Sequence, residues 1–396
     1  MKVKVLTVHN RYLIRGGEDE SVDSHQRLLK ENGHYTELFE ESNERVAELG
    51  SARTALRTIW SVESSRKIRD KISAGQFDIL DCQNTFPLIS PSVYYAAKKT
   101  GIPVIQTLRN YRLLCPNALF FRNGKVCEDC LGQSFPISGV INRCYRDSFP
   151  ASATVSSMIA THRLLKTWNK QVDLFVTLTH FARHKFIEAG FPEDRIVVKP
   201  NFVFPDPGLG KGNGDYALFV GRLTEEKGIH TVLAAWQKAQ HKLPLKIIGE
   251  GPLADQVAQA ARSSALIEYI GKKPVSEVYE LMGNAKFLLF PSEWYETFGR
   301  VAIEAFAKGT PVIAANIGAI AEIVDHGRTG LHFIPGDADD LAAKIDWAQT
   351  HPDELKHMRA QARSEYEQKY TAQRNYQMLM EVYEKAQILA TRKTYR

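Results

Sequence analysis

Short apolar runs rich in β-branched residues alternate with longer amphipathic stretches along this chain, and that alternation is the strongest constraint on its fold. It is the pattern of βαβ units built into parallel sheets. In the first half the strand candidates are KVKVLTVH, HYTELFE, FDILDCQN, PVIQTLR, DLFVTLT and RIVVKP. In the second half they are YALFVGR, LKIIGEG, IEYIGK, KFLLFPS, PVIAAN and GLHFIP. Helical stretches fall between several of them, near residues 17–32 and 89–99, then 227–239, 252–264, 275–283, 299–308 and 338–349.

Between the halves runs KPNFVFPDPGLGKGNGDY, rich in Pro and Gly and poor in large residues beyond its start. It reads as a linker, with a boundary near 203–215. The 396 residues suffice for two domains, each with its own core. The expected architecture is α/β, with two Rossmann-like, doubly wound domains facing a central cleft. The first covers residues 1–203 and the second 204–371. The stretch EYEQKYTAQRNYQMLMEVYEKAQIL reads as one long helical pattern with no strand after it. Its end, residues 372–396, is expected to pack back onto the first domain.

Charge narrows the partners. The formal net charge is +6. Residues 1–203 hold 28 Lys+Arg against 21 Asp+Glu, and the stretch 98–170 holds 11 against 3. A basic patch of this kind suits nucleic acid, an anionic lipid surface or a phosphorylated substrate. No apolar run approaches the roughly 18 residues of a membrane span. The N-terminus, MKVKVLTVHNRYLIRGGEDE, is too charged and too short in apolar length for a signal peptide. A cytoplasmic protein is expected, with any membrane contact peripheral.

Four stretches point to phosphate and sugar chemistry. In FVGRLTEEKG a strand ends at Gly221 and Arg222, and a helix starts near Lys227. A guanidinium fork and an ammonium five residues apart suit a diphosphate. In IIGEGP a strand runs into a glycine turn at Gly249, where backbone can approach a ligand or simply turn tightly. In FPSEWYETFGRVAIEAFAKG, Pro291 closes a strand and a helix follows Gly299. The Thr297–Phe298–Gly299 loop then lies at a helix N-terminus, whose free N–H groups favour anions. Glu296 precedes that helix and Glu304 lies in its second turn. Paired carboxylates are the equipment of glycoside hydrolysis, yet these two do not share a helix face. A carboxylate also accepts both hydroxyls of a vicinal diol, as in ribose or a hexose. In VHNRYLIRGGEDES, Gly16 and Gly17 open a helix after the first strand. Neither G-x-G-x-x-G nor G-x-x-x-x-G-K-[ST] occurs, which weighs against dinucleotide oxidoreductases and P-loop enzymes.

Taken in order, the GG loop, GRLTEEKG, GEGP, PSEWYETFGRVAIEAFAKGTPVIA and EIVDHGRTGLHF resemble the family 4 glycosyltransferases of GT-B fold over essentially the whole chain. The resemblance implies a retaining hexosyltransferase that takes a nucleotide sugar and needs no metal or other cofactor for catalysis. It implies that Arg222 and Lys227 neutralise the departing diphosphate, with Gly16 and Gly17 adding backbone contact. By the same analogy Glu304 holds the ribose hydroxyls. Glu296 with the amides of Thr297, Phe298 and Gly299 holds the transferred sugar. Val301 N–H reaches the phosphate, Gly249 lies close to the donor, and Lys273 lies near the base. A UDP-sugar is the expected donor, UDP-glucose first. The expected acceptor is a lipid-linked or oligosaccharide intermediate of polysaccharide synthesis at the inner face of the plasma membrane. Nucleic acid is not an expected partner. Many members carry a histidine in a T-L-H-N-Y-R-like segment where this chain reads TLRNYR, with Arg109 at that position. Arg109, His9 and His162 are the acceptor or pocket candidates. Two rival classes are a glycan phosphorylase, which needs a pyridoxal-phosphate lysine, and a sugar-nucleotide-binding protein without transfer activity.

Cys115, Cys127, Cys130 and Cys144 have the spacing C-x11-C-x2-C-x13-C, which fits a structural zinc site. Free thiols and disulfides are the alternatives. The cluster resembles an insertion found in a subset of family 4 enzymes that build polysaccharides, and it falls in the basic stretch expected to shape the acceptor site.

Overall fold

The computed structural model describes residues 2–238, 240 and 242–394, and its contacts divide the chain into two units. The first comprises Met1–Phe120, Cys127–Pro200 and Asn375–Arg396; the second comprises Phe121–Val126 and Asn201–Arg374. In chain order the early strands are β1 (Lys4–Arg11), β2 (Tyr35–Ser42), β3 (Ile79–Asn84), β4 (Val104–Thr107), β5 (Phe121–Arg122), β6 (Lys125–Val126), β7 (Leu174–Thr177) and β8 (Ile196–Val198). Then follow β9 (Ala217–Val220), β10 (Leu245–Ile248), β11 (Ile267–Gly271), β12 (Phe287–Phe290), β13 (Val312–Ala315) and β14 (Gly330–Phe333).

The first unit holds a parallel sheet of order β2-β1-β3-β4-β7-β8. The second holds a parallel sheet of order β11-β10-β9-β12-β13-β14. Every run read as a strand in the sequence is a strand in one of these sheets. β3, β4, β7, β12 and β13 are buried along their whole length, as parallel strands covered on both faces must be. The short β5–β6 hairpin is antiparallel and stands apart from both sheets.

Two stretches differ from the sequence reading. The Pro/Gly run is no free linker but a strap bonded along the second unit. Gly210 N–H donates to Lys308 O at 2.9 Å, Gly212 N–H to Gly283 O at 2.9 Å and Gly214 N–H to Asn284 O at 2.9 Å. Those carbonyls lie at the C-terminal ends of the Arg300–Ala307 and Val275–Asn284 helices, where backbone acceptors lack intrahelical partners. Glycine lets the strap come that close, because a Cβ on Gly210 would lie 2.2 Å from Gly283 O. The long terminal pattern is also broken, into helices Pro352–Lys369 and Ala372–Thr394. The break is at Tyr370, whose ring packs edge-on against Phe298 and whose carbonyl accepts Val203 N–H at 3.1 Å.

From Asn375 the last helix belongs to the first unit. Leu379, Val382, Tyr383 and Ala386 join Val5, Ile79, Ile105 and Leu174 in its core. Polar groups fix its register beneath that apolar face. Tyr383 OH donates to Asp81 Oδ2 at 2.9 Å, and Lys199 Nζ donates to Asn375 Oδ1 at 3.0 Å. Burial, with Arg109 nearby, pushes the Lys199 ammonium down to about 7, although Asp81 opposes the shift. No described helix is long and apolar enough to cross a membrane.

His162, read as a pocket candidate, is instead a core residue. It is fully buried on the Phe149–Leu164 helix, stacked on Trp60 and against Trp168. Its ring nitrogens meet Thr167 Oγ1 and Ile59 O, each at 2.9 Å. Burial pushes it down to about 4, against an ordinary value of 6.5, so it is neutral in the folded protein. Between those values the unfolded chain binds the extra proton, so stability is lost as pH falls from about 6.5 to 4. The loss attributable to His162 is about 3 kcal/mol. We expect denaturant titrations followed by tryptophan fluorescence to show it, and His162→Gln to flatten that slope.

Candidate functional site

In a parallel sheet every strand points its carboxyl end to the same edge, and ligands gather where neighbouring loops part because the strand order reverses. In the second unit this happens between β9 and β12, which are adjacent although β10 and β11 lie beyond β9. The loop after β9 carries Arg222 and, in a 3-10 turn Glu225–Lys227, the Lys227 ammonium. The loop after β12 runs from Pro291 to Gly299. The two are tied by backbone, Glu293 N–H donating to Glu226 O at 2.9 Å.

Side chains tie them further. Lys227 Nζ pairs with Glu296 Oε1. The same oxygen accepts the Ser292 hydroxyl at 3.0 Å and the Trp294 indole N–H at 3.0 Å. Lys227 Nζ also stands 5.3 Å from the Trp294 ring centroid. Arg222 pairs with Glu226 at 3.0 Å while staying more than half exposed, and Arg300 pairs with Glu304 at 2.8 Å. Arg222, Lys227 and Arg300 therefore each face a carboxylate of these loops. The arrangement is a charge-balanced cradle of three internal ion pairs.

The Arg300–Ala307 helix begins at Gly299, whose lack of a side chain leaves the first turn without a side-chain cap. The N–H groups of that turn, Val301 among them, point to the loop end of the helix, where anions are favoured. Glu304 follows one turn along. Phe298 is buried against Tyr370, so its role is to fix the loop, while Thr297 is half-buried beside Glu296.

Gly249 and Lys273 lie on the loops after β10 and β11. Lys273 pairs with Glu277 at 3.0 Å and sits two strands from β9, about 10 Å across the sheet edge. Gly249 has a packing reason of its own. A Cβ there would lie 1.8 Å from Gly221 O, because the β9 and β10 loops touch backbone to backbone.

In the first unit, the corresponding reversal lies between β1 and β3. Gly16 is the N-cap of the Gly17–Glu31 helix, again with no side-chain cap. Its backbone is extended (φ −137°), and nothing lies within 4 Å of where a Cβ would stand. Neither conformation nor packing asks for glycine there, so open space above it is what the residue provides. His9 is fully buried, its Nε2–H on Asp19 Oδ1 at 2.8 Å, while its Nδ1 has no partner. Asp19 also accepts Gly16 N–H at 3.1 Å. Burial works to raise the Asp19 carboxyl, but the His9 and Gly16 hydrogen bonds outweigh it and leave it below its ordinary value. His9 thus braces the glycine loop from below.

Arg109 is buried, its Nε–H on Gln83 Oε1 at 2.9 Å, and Gln83 in turn donates to Asp81 at 2.6 Å. It lines a cavity of about 30 Å³ with Asn84, Tyr94 and Thr107. That is room for a single water, not for a sugar.

The four clustered cysteines are all free thiols. Burial, then Cys115, Cys144 and Cys127 nearby, push Cys130 up to about 12, and Cys115 Sγ donates to Asn117 Oδ1 at 2.9 Å. Among the described residues no three His, Cys, Asp or Glu side chains are disposed to hold a metal ion.

Sequence reasoning passed over Ser292, Trp294 and Arg300. The only signal for them is position, as hydrogen-bond donors within four residues of Glu296 or Glu304.

Residues 206–365, most of the second unit, match the family model described as glycosyl transferases group 1. Glycogen synthase of Mycobacterium tuberculosis is 38% identical over 134 residues, 32% of this chain and 32% of that protein. Phosphatidyl-myo-inositol mannosyltransferase of the same species is 35% identical over 135 residues, 33% of this chain and 35% of that protein. An uncharacterized 42.6 kDa protein in the cps region of Klebsiella pneumoniae is 29% identical over 249 residues, 61% of this chain and 58% of that protein. The chain therefore spans about a third of the first two relatives and under two thirds of the third. These matches support glycosyltransferase group 1 as the family of the matched segment. Among solved structures, HepE of Anabaena, crystallised with UDP-glucose, matches at a TM-score of 0.67 and 16% identity, covering 96% of this chain and 98% of that one. Sucrose-phosphate synthase from Thermosynechococcus elongatus matches at 0.70 and 15%, covering 97% and 98%. That likeness establishes the fold, the pair of parallel-sheet domains characteristic of GT-B proteins.

The two glycine loops call for opposite outcomes on substitution. Gly16→Ser places a good N-cap residue in open space, so we expect folding stability within about 0.5 kcal/mol of wild type. Gly249→Ala drives a methyl into Gly221 O and is expected to cost about 3 kcal/mol or more. Chemical denaturation of both variants checks the pair.

Proposed function

We propose that the protein is a retaining glycosyltransferase that moves a hexose from a UDP-sugar, UDP-glucose first, to a lipid-linked or polysaccharide acceptor. The observation that carries this reading is the cradle at the β9/β12 reversal, where Arg222, Lys227 and an uncapped helix start converge beside Glu296 and Glu304. The matched family segment contains all of it.

Glycosyl transfer breaks the bond between the sugar's anomeric carbon and a diphosphate oxygen. Negative charge grows on the leaving group as the sugar becomes cation-like. Groups already aimed at that charge lower the barrier without reorganising. In this reading Arg222 and Lys227 turn from Glu226 and Glu296 to the diphosphate, and the Val301 N–H adds a donor from the helix start. These residues supply the positive charge that the step requires, with no cofactor assigned to it.

The two carboxylates take the ends of the donor. Glu304, paired with Arg300, receives the ribose diol. Glu296, with the amides of Thr297 to Gly299, receives the transferred hexose. The base lies toward Lys273. The basic 98–170 stretch, with the cysteine cluster within it, faces an acceptor that carries phosphate, at the inner face of the plasma membrane.

A thermal-shift screen over UDP-glucose, UDP-galactose, UDP-N-acetylglucosamine and GDP-mannose tests the donor. The true donor at a hundredfold excess over Kd should raise the transition by about 5 °C. Glu304→Ala should weaken donor binding by about tenfold, as loss of a hydrogen-bonded charge does. Arg222→Ala with Lys227→Ala should lower turnover by about a hundredfold or more while leaving the melting temperature near wild type. Turnover that survives this double change overturns the assignment.

A further inference from the structure

Trp294 touches both charged partners of the cradle. Its indole N–H donates to Glu296 Oε1 at 3.0 Å, and the Lys227 ammonium stands 5.3 Å from its ring centroid. Ser292, almost fully buried, donates its hydroxyl to the same oxygen at 3.0 Å. Glu296 N–H donates to Trp294 O at 3.1 Å, so the loop is folded tightly on itself at this point. One carboxylate oxygen thus receives a cation from the β9 loop and two neutral donors from its own loop.

These donors differ in what an arriving diphosphate does to them. Lys227 is a point charge on a flexible four-carbon stem, and phosphate oxygens compete for it directly. Ser292 and Trp294 are uncharged and belong to the same short loop as Glu296, so a diphosphate has no comparable hold on them. When Lys227 turns to the diphosphate, Glu296 loses a charged partner. Without other restraint its carboxylate would rotate or follow the ammonium, just when the transferred sugar needs it in place.

We propose that Ser292 and Trp294 are positioning residues, a neutral clamp that holds Glu296 oriented while the donor diphosphate draws Lys227 away. The inference rests on the transferase reading above. The Trp294 ring face gives Lys227 a second attractive surface beside the carboxylate, so the ammonium leaves Glu296 without entering bare solvent. The clamp separates two tasks that one ion pair otherwise couples, neutralising the leaving group and orienting the Glu296 carboxylate.

The test uses the full chain with Trp294→Phe, Ser292→Ala and Glu296→Gln. UDP binding is read by calorimetry. Turnover is read as nucleoside diphosphate released from the four donors named above, with water as acceptor. Phe keeps the ring and loses the N–H. We expect both clamp variants to bind UDP within about threefold of wild type and to keep the donor KM, while kcat falls about tenfold, the effect of one hydrogen bond to a charged group. Glu296→Gln should lower kcat further. If Glu296→Gln lowers kcat and neither clamp variant does, the clamp is overturned and the site reading stands. Parallel loss of UDP affinity and melting temperature with kcat overturns it as well, since that marks a merely structural role. If wild type releases nothing from any donor, or Glu296→Gln is silent, the transferase reading falls and the clamp with it.

Discussion

Parallel pairing decides where this protein can do chemistry. In an all-parallel sheet each crossover helix brings the chain back to the same edge, so every strand delivers its following loop to one side. In the second unit β9 has β10 on one flank and β12 on the other, and the chain leaves these strands in opposite directions. The loops after β9 and β12 therefore part above their strands instead of covering them. Arg222 and Lys227 stand on one loop, and Ser292, Trp294 and Glu296 on the other. Their convergence follows from strand order and not from nearness in sequence, since Lys227 and Glu296 are 69 residues apart.

Opposite charges brought to one crevice must be balanced when no ligand is present. Lys227 with Glu296, Arg222 with Glu226 and Arg300 with Glu304 achieve this at modest depth, where pairing and hydration both contribute. An anion that enters gains the cations but must displace their carboxylates. The net preference for a ligand is therefore smaller than a count of positive charges implies, and it is more selective. A simple phosphate that takes Arg222 and Lys227 leaves Glu226 and Glu296 unmatched. A ligand that also brings hydroxyls to those carboxylates offsets that cost.

The fold was legible in the sequence to the level of individual strands, because burial on both faces leaves a plain mark. Runs such as ILDCQN, FLLF and VIAA carry it. Several of the helices between them were legible by periodicity, whereas those at Arg45–Ile59, Val62–Gly75, Phe149–Leu164 and His180–Glu188 were not. What escaped were features set by backbone contact. The Pro/Gly run looked like a linker because its composition suits one. The same glycines, lacking Cβ atoms, let Gly210, Gly212 and Gly214 donate to helix-end carbonyls. The terminal pattern looked continuous because nothing local marks Tyr370, whose carbonyl and ring are claimed by Val203 and Phe298. Of the site, Arg222, Lys227, Glu296 and Glu304 were legible, while Arg300 and the internal pairing were not. Arg109 was visible as an unusual residue, but its tie to Gln83 and Asp81 is a tertiary fact.

Gly16 and Gly249 show why a glycine-rich loop cannot be read for function from its letters alone. Both follow strands at the functional edge of their sheets, and both allow close approach of backbone. At Gly249 the approaching group is already present, the carbonyl of Gly221. At Gly16 the space is empty, and the loop is braced by Asp19 and, beneath it, by His9. Residue type is the same in the two loops, and only the occupancy of the position where a Cβ would stand separates them. A glycine already filled by its own protein is a packing residue. A glycine that faces open space on a braced loop is where a ligand can come closest to the chain.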